Sequence, residues 1–426
     1  MIESKKQETL ISRFIQEPYR VFFPLGAILG LAGVGYWILY GLGIVSYYSG
    51  VLHGAVLTEA FMGCFVVGFL TTAFPRFTAS FPCKPWEFYV LLALILSTAF
   101  FHFMGLERAG RGAYAGWILA LAVFAGRRAA ARKKSPGGFP VSPPAEMVWI
   151  GVGIVHAFAG WLLFEAASAG KLSYEWLAEG RRLSDQGFLL CIVLGIGSFL
   201  GSRLMGTFRM QPGAADPERV KGALRVKASF HLAAGSLVLL SHFLEGAGYV
   251  RSAFLVRSAV LTAVFIYTGA LALRPVNRET LVWGVWLSFW LIAAGHWGVV
   301  FLPVYRIEWM HLIFLGGYSL MTFSVASMVM ISHAGEASRL RKPLGFLKIV
   351  YAAILTALII RLSAPFFLKY YFFILAAAST VWSAAILYWL TVVAPCAVRF
   401  ADPELLEKAH EEAKKRILEG RKTEIC

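Results

Sequence analysis

GVLHGAVLTEAFMGCFVVGFLTTAFP, residues 50–75, holds one carboxylate, Glu59, one histidine, His53, and no lysine or arginine. At about 1.5 Å per residue, a helix of this length crosses roughly 30 Å of hydrocarbon. The rest of the chain repeats the pattern. Apolar runs punctuated by charge, Pro and Gly lie near 21–46, 50–75, 86–104, 112–126, 147–168, 187–206, 228–249, 254–273, 280–302, 308–332, 345–367 and 370–394. The fourth run is short. Gly-rich interiors such as GAILGLAGVG and GIGSFLG permit close approach of neighbouring helices. Pro75, Pro303 and Pro395 stand at run ends, where a missing N–H costs least.

Composition agrees with this reading. Of 426 residues, 58% are hydrophobic and 15% charged, and the mean hydropathy is +0.67. A soluble chain carries about 25% charged residues, and one of this length would divide at polar linkers, of which none is evident. With 34 Phe, 16 Tyr and 13 Trp, intrinsic disorder is excluded as well. The expected fold is all-α: a polytopic transmembrane bundle of about twelve helices with both termini cytoplasmic. Residues 1–400 form a single membrane domain, and 401–426 a short cytoplasmic helical tail, with Asp402 and Pro403 suited to its N-terminus. SYEWLAEG (173–180) reads as a short helix in the long loop before the sixth run. The polar first twenty residues give no cleavable signal sequence.

The net charge of +16 invites a nucleic-acid reading, but its placement is topological. With the N-terminus inside, the inner segments carry 29 of the 40 Lys and Arg residues, in stretches such as RRAAARKK (127–134) and RVKGALRVK (219–227). This is the positive-inside bias, with contact to anionic lipid and no nucleic-acid partner. Five scattered cysteines, Cys64, Cys83, Cys191, Cys396 and Cys426, offer no CxxC or CxxCH, so a disulfide framework and covalent c-type haem attachment lack support. No P-loop, Rossmann fingerprint or HExxH occurs.

Function therefore rests on the few ionisable residues inside the spans, which are costly there unless used. His53, His102, His242, His296 and His311 come from five helices and reach the outer side, while His156 falls near the midplane. His231 and His333 belong to the inner side. Glu59 lies six residues after His53, and Glu245 follows His242 by three, on the same helix face. Imidazoles and carboxylates from several helices suit a haem, copper or iron centre or a proton relay. On this reading His53, His311, His102 and His156 are candidate metal ligands. Glu59 and Glu245 orient an imidazole or carry protons. Arg203 ends the sixth run and is able to snorkel.

Several stretches resemble the NnrS family. HGAVLTEAFMGCFVVGFLTTAFPRFTAS (53–80) is similar to that family's second-helix signature, most closely at GFLTTAFPRFT (68–78). PYRVFF (18–23) resembles the entry to its first helix, and GSRLMGTF (201–208) its span-six arginine segment. HLIFLGGYSLMTFSVASMVMISHAG (311–335) resembles the segment that ends in GHTGR. The resemblance implies a haem- and copper-containing protein of a bacterial inner membrane, tied to nitric oxide and nitrosative stress. It implies cofactor contacts at His53, Arg203, His311 and His333; by their place on the outer side, His242 and His296 are the next candidate ligands. The chain departs from the family pattern where Ala55 and Val56 replace the second histidine and the glutamate of HxHEM. A family histidine falls on Trp286, and SHAGE ends in Glu336 in place of arginine. Reductive chemistry would require a separate membrane electron donor. Two other readings are a proton-coupled secondary transporter, which twelve helices also suit, and a non-catalytic assembly subunit.

Overall fold

The computed structural model describes residues 10–47, 49–132, 144–208 and 217–400. No strand occurs among them, and twelve helices are long and apolar enough to span a membrane. They are α1 Tyr19–Gly41, α2 Gly50–Phe77, α3 Pro85–Phe103, α4 Glu107–Ala130, α5 Ala145–Ser168 and α6 Glu175–Met205. The remainder are α7 Gly222–Gly246, α8 Val250–Thr268, α9 Thr280–Phe301, α10 Pro303–Arg341, α11 Gly345–Phe366 and α12 Leu368–Ala397. The chain is a multi-pass membrane protein. The tail at 401–426 lies outside the described residues.

Two expected boundaries move, for one reason. The fourth span starts at Glu107 instead of 112 and runs on to Ala130, and the separate helix expected at 173–180 is the beginning of α6. Hydropathy ends a span at each charge, but Glu107, Arg111, Arg181 and Asp185 neutralise one another by contact, so the helices continue through them.

The described residues gather into two compact units, which fall within Met1–Gly33 and Ser49–Ile192, and within Val34–Tyr48 and Val193–Cys426. In the first, α2 is the central helix, with 89% of its apolar window buried. Phe23 stacks on Phe65 at 5.0 Å, and Tyr114, Trp117 and Phe188 form an edge-to-face cluster. The Glu87 carboxylate accepts from the Lys84 main-chain N–H at 2.9 Å and caps α3, whose first residue is Pro85, while Gly105, at φ 73°, reverses the chain into α4. In the second unit, α10 has 72% of its window buried. Phe265 packs against Phe289, and Phe323 against Trp389, both at 4.9 Å between ring centres.

Every π-helical turn among the described residues falls in α2, α6 or α10: Val56–Phe61, Leu183–Gly187, Val193–Gly197, Leu312–Tyr318 and Ser332–Glu336. These are the three most enclosed helices. The extra residue in a π turn shifts the side-chain register, and such turns recur at functional sites. Glu59, Asp185 and His333 each lie in one.

Candidate functional site

The first unit holds a buried ionic ladder built from four helices. The hairpin between α3 and α4 brings His102, next to last in α3, beside the second turn of α4. There the imidazole lies against Gly110, where even a Cβ would sit 2.7 Å from the ring. The π turn of α2 directs Glu59 between the two helices of this hairpin. His102 Nε2 is 2.7 Å from Glu59 Oε2, and Arg111 Nη1 is 2.9 Å from Glu59 Oε1. Glu59 is 0% exposed, and His102 and Arg111 3% and 2%.

Arg111 carries the network outward. Its Nη1 donates to Ser184 Oγ at 3.2 Å, its guanidinium reaches both Asp185 oxygens at 3.4 Å, and its Nε donates to Glu107 at 3.0 Å. Arg181 closes a two-bond pair on Glu107 at 2.6 Å. Tyr114 donates to the Ser184 carbonyl at 2.7 Å, which ties the π turn of α6 to α4. Exposure is greater towards the far end: the Asp185 side chain is 13% exposed, and the Glu107–Arg181 pair 26% and 23%. Acid–base groups thus step from a half-open end to a fully enclosed one.

Close backbone packing holds the fourth helix in place. A Cβ on Gly160 would lie 2.3 Å from the Ser184 nitrogen, and one on Gly180 2.6 Å from the Phe164 nitrogen. Only glycine lets α5 and α6 approach this closely, and the contact sits beside Asp185.

Glu59, Asp185 and Glu107 face Arg111 and Arg181. Three carboxylates against two guanidinium groups leave one negative charge, and one proton on the set makes it neutral. His102 and Glu59 stand at the inner end of this set.

The other expected residues are distributed as follows. In the first unit, the His53 Nδ1 lies 3.1 Å from the Gly33 carbonyl, and His156 Nδ1 2.8 Å from Val152. His102, expected as a metal ligand, has its Nε2 2.7 Å from Glu59 Oε2. In the second unit, Glu245 on α7 accepts from Arg257 at 3.0 Å and also pairs with Arg306. Arg257 lies over the Phe254 ring at 4.6 Å, and His296 packs against that ring at 6.2 Å with its Nδ1 2.9 Å from the Ile292 carbonyl. His242 is buried one turn from Glu245. His311 has its Nδ1 2.7 Å from the Ile307 carbonyl, and His333 is buried in the last π turn of α10. Arg203 lies over Phe199 at 3.7 Å and Phe208 at 4.8 Å. Glu336, the departure in SHAGE, bridges Arg339 and Arg399.

Sequence reading missed Arg111 and Asp185. Both stood just outside the runs expected at 112–126 and 187–206. The available signal was complementary charge at facing span ends, which hydropathy alone discards.

Twelve spanning helices and a buried acid–base ladder define an integral membrane protein with ionisable chemistry inside its helical core. The family model described as NnrS protein matches residues 13–400, so the chain belongs to the NnrS family. No curated protein matches it.

Proposed function

We propose that this NnrS-family protein holds haem iron and copper on imidazole ligands within a bacterial inner membrane. There it handles a small neutral ligand such as nitric oxide, as part of a response to nitrosative stress. The observation that carries this reading is the Glu59–His102 pair at the enclosed end of the ionic ladder.

The donor chemistry fits these cofactors. His53, His156, His296 and His311 each set Nδ1 against a main-chain carbonyl. That contact selects the tautomer with its lone pair on Nε2 and fixes the ring, as in metal-binding imidazoles. The four described cysteines are buried and form no disulfide, and imidazole suits iron and copper. In the first unit His53 is the leading candidate ligand, with His156 next. In the second it is His311, with His296, His242, His333 and Arg203 as further contacts. When bound, haem iron supplies a coordination position for a neutral diatomic molecule.

The residues of the ladder supply protons and position. His102 donates to Glu59, Arg111 keeps Glu59 ionisable while enclosed, and Asp185 links them towards the Glu107–Arg181 end. Any reductive chemistry takes its electrons from a separate membrane donor. The test is haem and copper content of the detergent-purified full chain. The reading expects both, with haem reduced by His53→Ala or His311→Ala. A folded preparation devoid of haem and copper after expression with both supplied overturns it.

A further inference from the structure

The second unit contains a cavity of about 530 Å³ at the N-terminal ends of α9 and α11. Its wall includes Arg278, Arg341, Lys342 and Lys348, against one carboxylate, Glu279. None of these four cations forms an ion pair among the described residues, and all four are exposed. Two helix N-termini also meet here, joined by a 3.1 Å bond from the Leu344 N–H to Thr280 Oγ1. Their main-chain N–H groups add to the positive field. Among the described residues the cavity has an excess of three positive charges and no partner to take them up.

We propose that this cavity binds a phosphate-bearing anion, and that the phosphate belongs to a phospholipid headgroup. The shared chemistry is a phosphate ester met by guanidinium and ammonium groups. Three observations favour a lipid as its source. The cavity sits where two spans begin, and a span end is where a helix leaves the hydrocarbon for the headgroup layer. Trp283, in the first turn of α9, is 41% exposed beside it, as expected of an interfacial anchor. Ile349, next to Lys348, is 57% exposed and Ile359, further along α11, 69%, so apolar side chains are open beside the cavity and beyond it for an acyl chain. The volume lies within the range of about 300–1,000 Å³ typical of small-molecule sites and exceeds what a bare phosphate fills.

Tyr351 gives the inner wall a fixed position. Its hydroxyl lies 2.5 Å from Ser324 Oγ, linking α11 to α10. The cations are therefore mounted on packed helix ends and not on a free loop.

The test uses the detergent-solubilised full chain and a fluorescent phosphatidylglycerol, with phosphatidylcholine as the zwitterionic comparison and inorganic phosphate as a soluble competitor. Phosphatidylglycerol is expected to bind more tightly than phosphatidylcholine. The triple substitution Arg278→Gln, Arg341→Gln, Lys342→Gln is expected to weaken it about tenfold or more, since each basic group near an anionic headgroup contributes measurably. Lys348→Gln alone is expected to weaken it about twofold to fivefold, which keeps the test readable if the triple variant fails to fold. Lys369→Gln, at the start of α12 and away from this cavity, should leave affinity unchanged. Equal binding of the two lipids, unchanged affinity in the cavity variants, or an equal loss in Lys369→Gln overturns the site. Displacement of the lipid by inorganic phosphate at comparable concentration overturns the lipid as its source.

Discussion

Glu59 and His102, 43 residues apart in the chain, meet through a 2.7 Å bond between carboxylate Oε2 and imidazole Nε2, both enclosed by protein. Arg111 holds the other carboxylate oxygen at 2.9 Å. The pair is thus the inner terminus of an ionic set whose charge balances only when it holds one proton.

That balance predicts an order of stabilities. Arg111→Met leaves three carboxylates facing one arginine, and breaking a buried pair in this way costs about 3–5 kcal/mol. Glu59→Gln leaves two carboxylates and two arginines, a neutral set, and is expected to cost clearly less. Thermal unfolding of the purified chain in detergent reads both. Equal losses would refute the charge count.

Gly160 predicts a steric effect on the same network. Gly160→Ala drives a methyl group to 2.3 Å from the Ser184 nitrogen, next to Asp185. Overpacking of this kind costs about 1–3 kcal/mol or more. Gly151, on the same helix, has open space around it, and Gly151→Ala should be near neutral. Unfolding temperatures of the two variants separate a specific contact from a general intolerance of α5.

The second unit makes its own prediction through Glu245, which joins Arg257 and Arg306. A double-mutant cycle of Glu245→Gln and Arg257→Leu should give a coupling of about 0.5–3 kcal/mol. Additive effects would show that the contact carries no energy.

Cys83, in the connection between α2 and α3, supplies a pH test. Burial first, and then the charge of Glu87, push its thiol up to about 12, with Arg128 acting in the opposite direction. Because the thiolate is the reactive form, a shift from about 9 to about 12 lowers its population near pH 8 roughly a thousandfold. In a variant with Cys83 as its sole cysteine, maleimide labelling of the folded protein should be slow at pH 8 and rise steadily towards pH 10. Rapid labelling at pH 7 in the folded state would contradict this environment.

The twelve spans were legible because a twenty-residue apolar run has few other uses. Glu59 and His102 were legible singly, as ionisable groups within apolar helices. Their union was not, since it depends on the α3–α4 reversal at Gly105 and on the π turn at Val56–Phe61, neither of which leaves a hydropathy trace. Arg111 and Asp185 were obscured by the rule that ends a span at a charge. Paired charges escape that rule, because contact removes most of the penalty that each would meet alone. The cations around Arg278 and Arg341 read as general inner-face charge, and only the three-dimensional arrangement gathers them about one cavity.

The most direct measurement is an optical titration of the reduced, detergent-purified chain with nitric oxide. The account predicts a haem Soret band that shifts on addition of the ligand, is diminished by His53→Ala or His311→Ala, and persists in Glu59→Gln with an altered pH dependence of the shift. A folded chain that shows no Soret band after expression with haem supplied, or a band indifferent to nitric oxide, would contradict it.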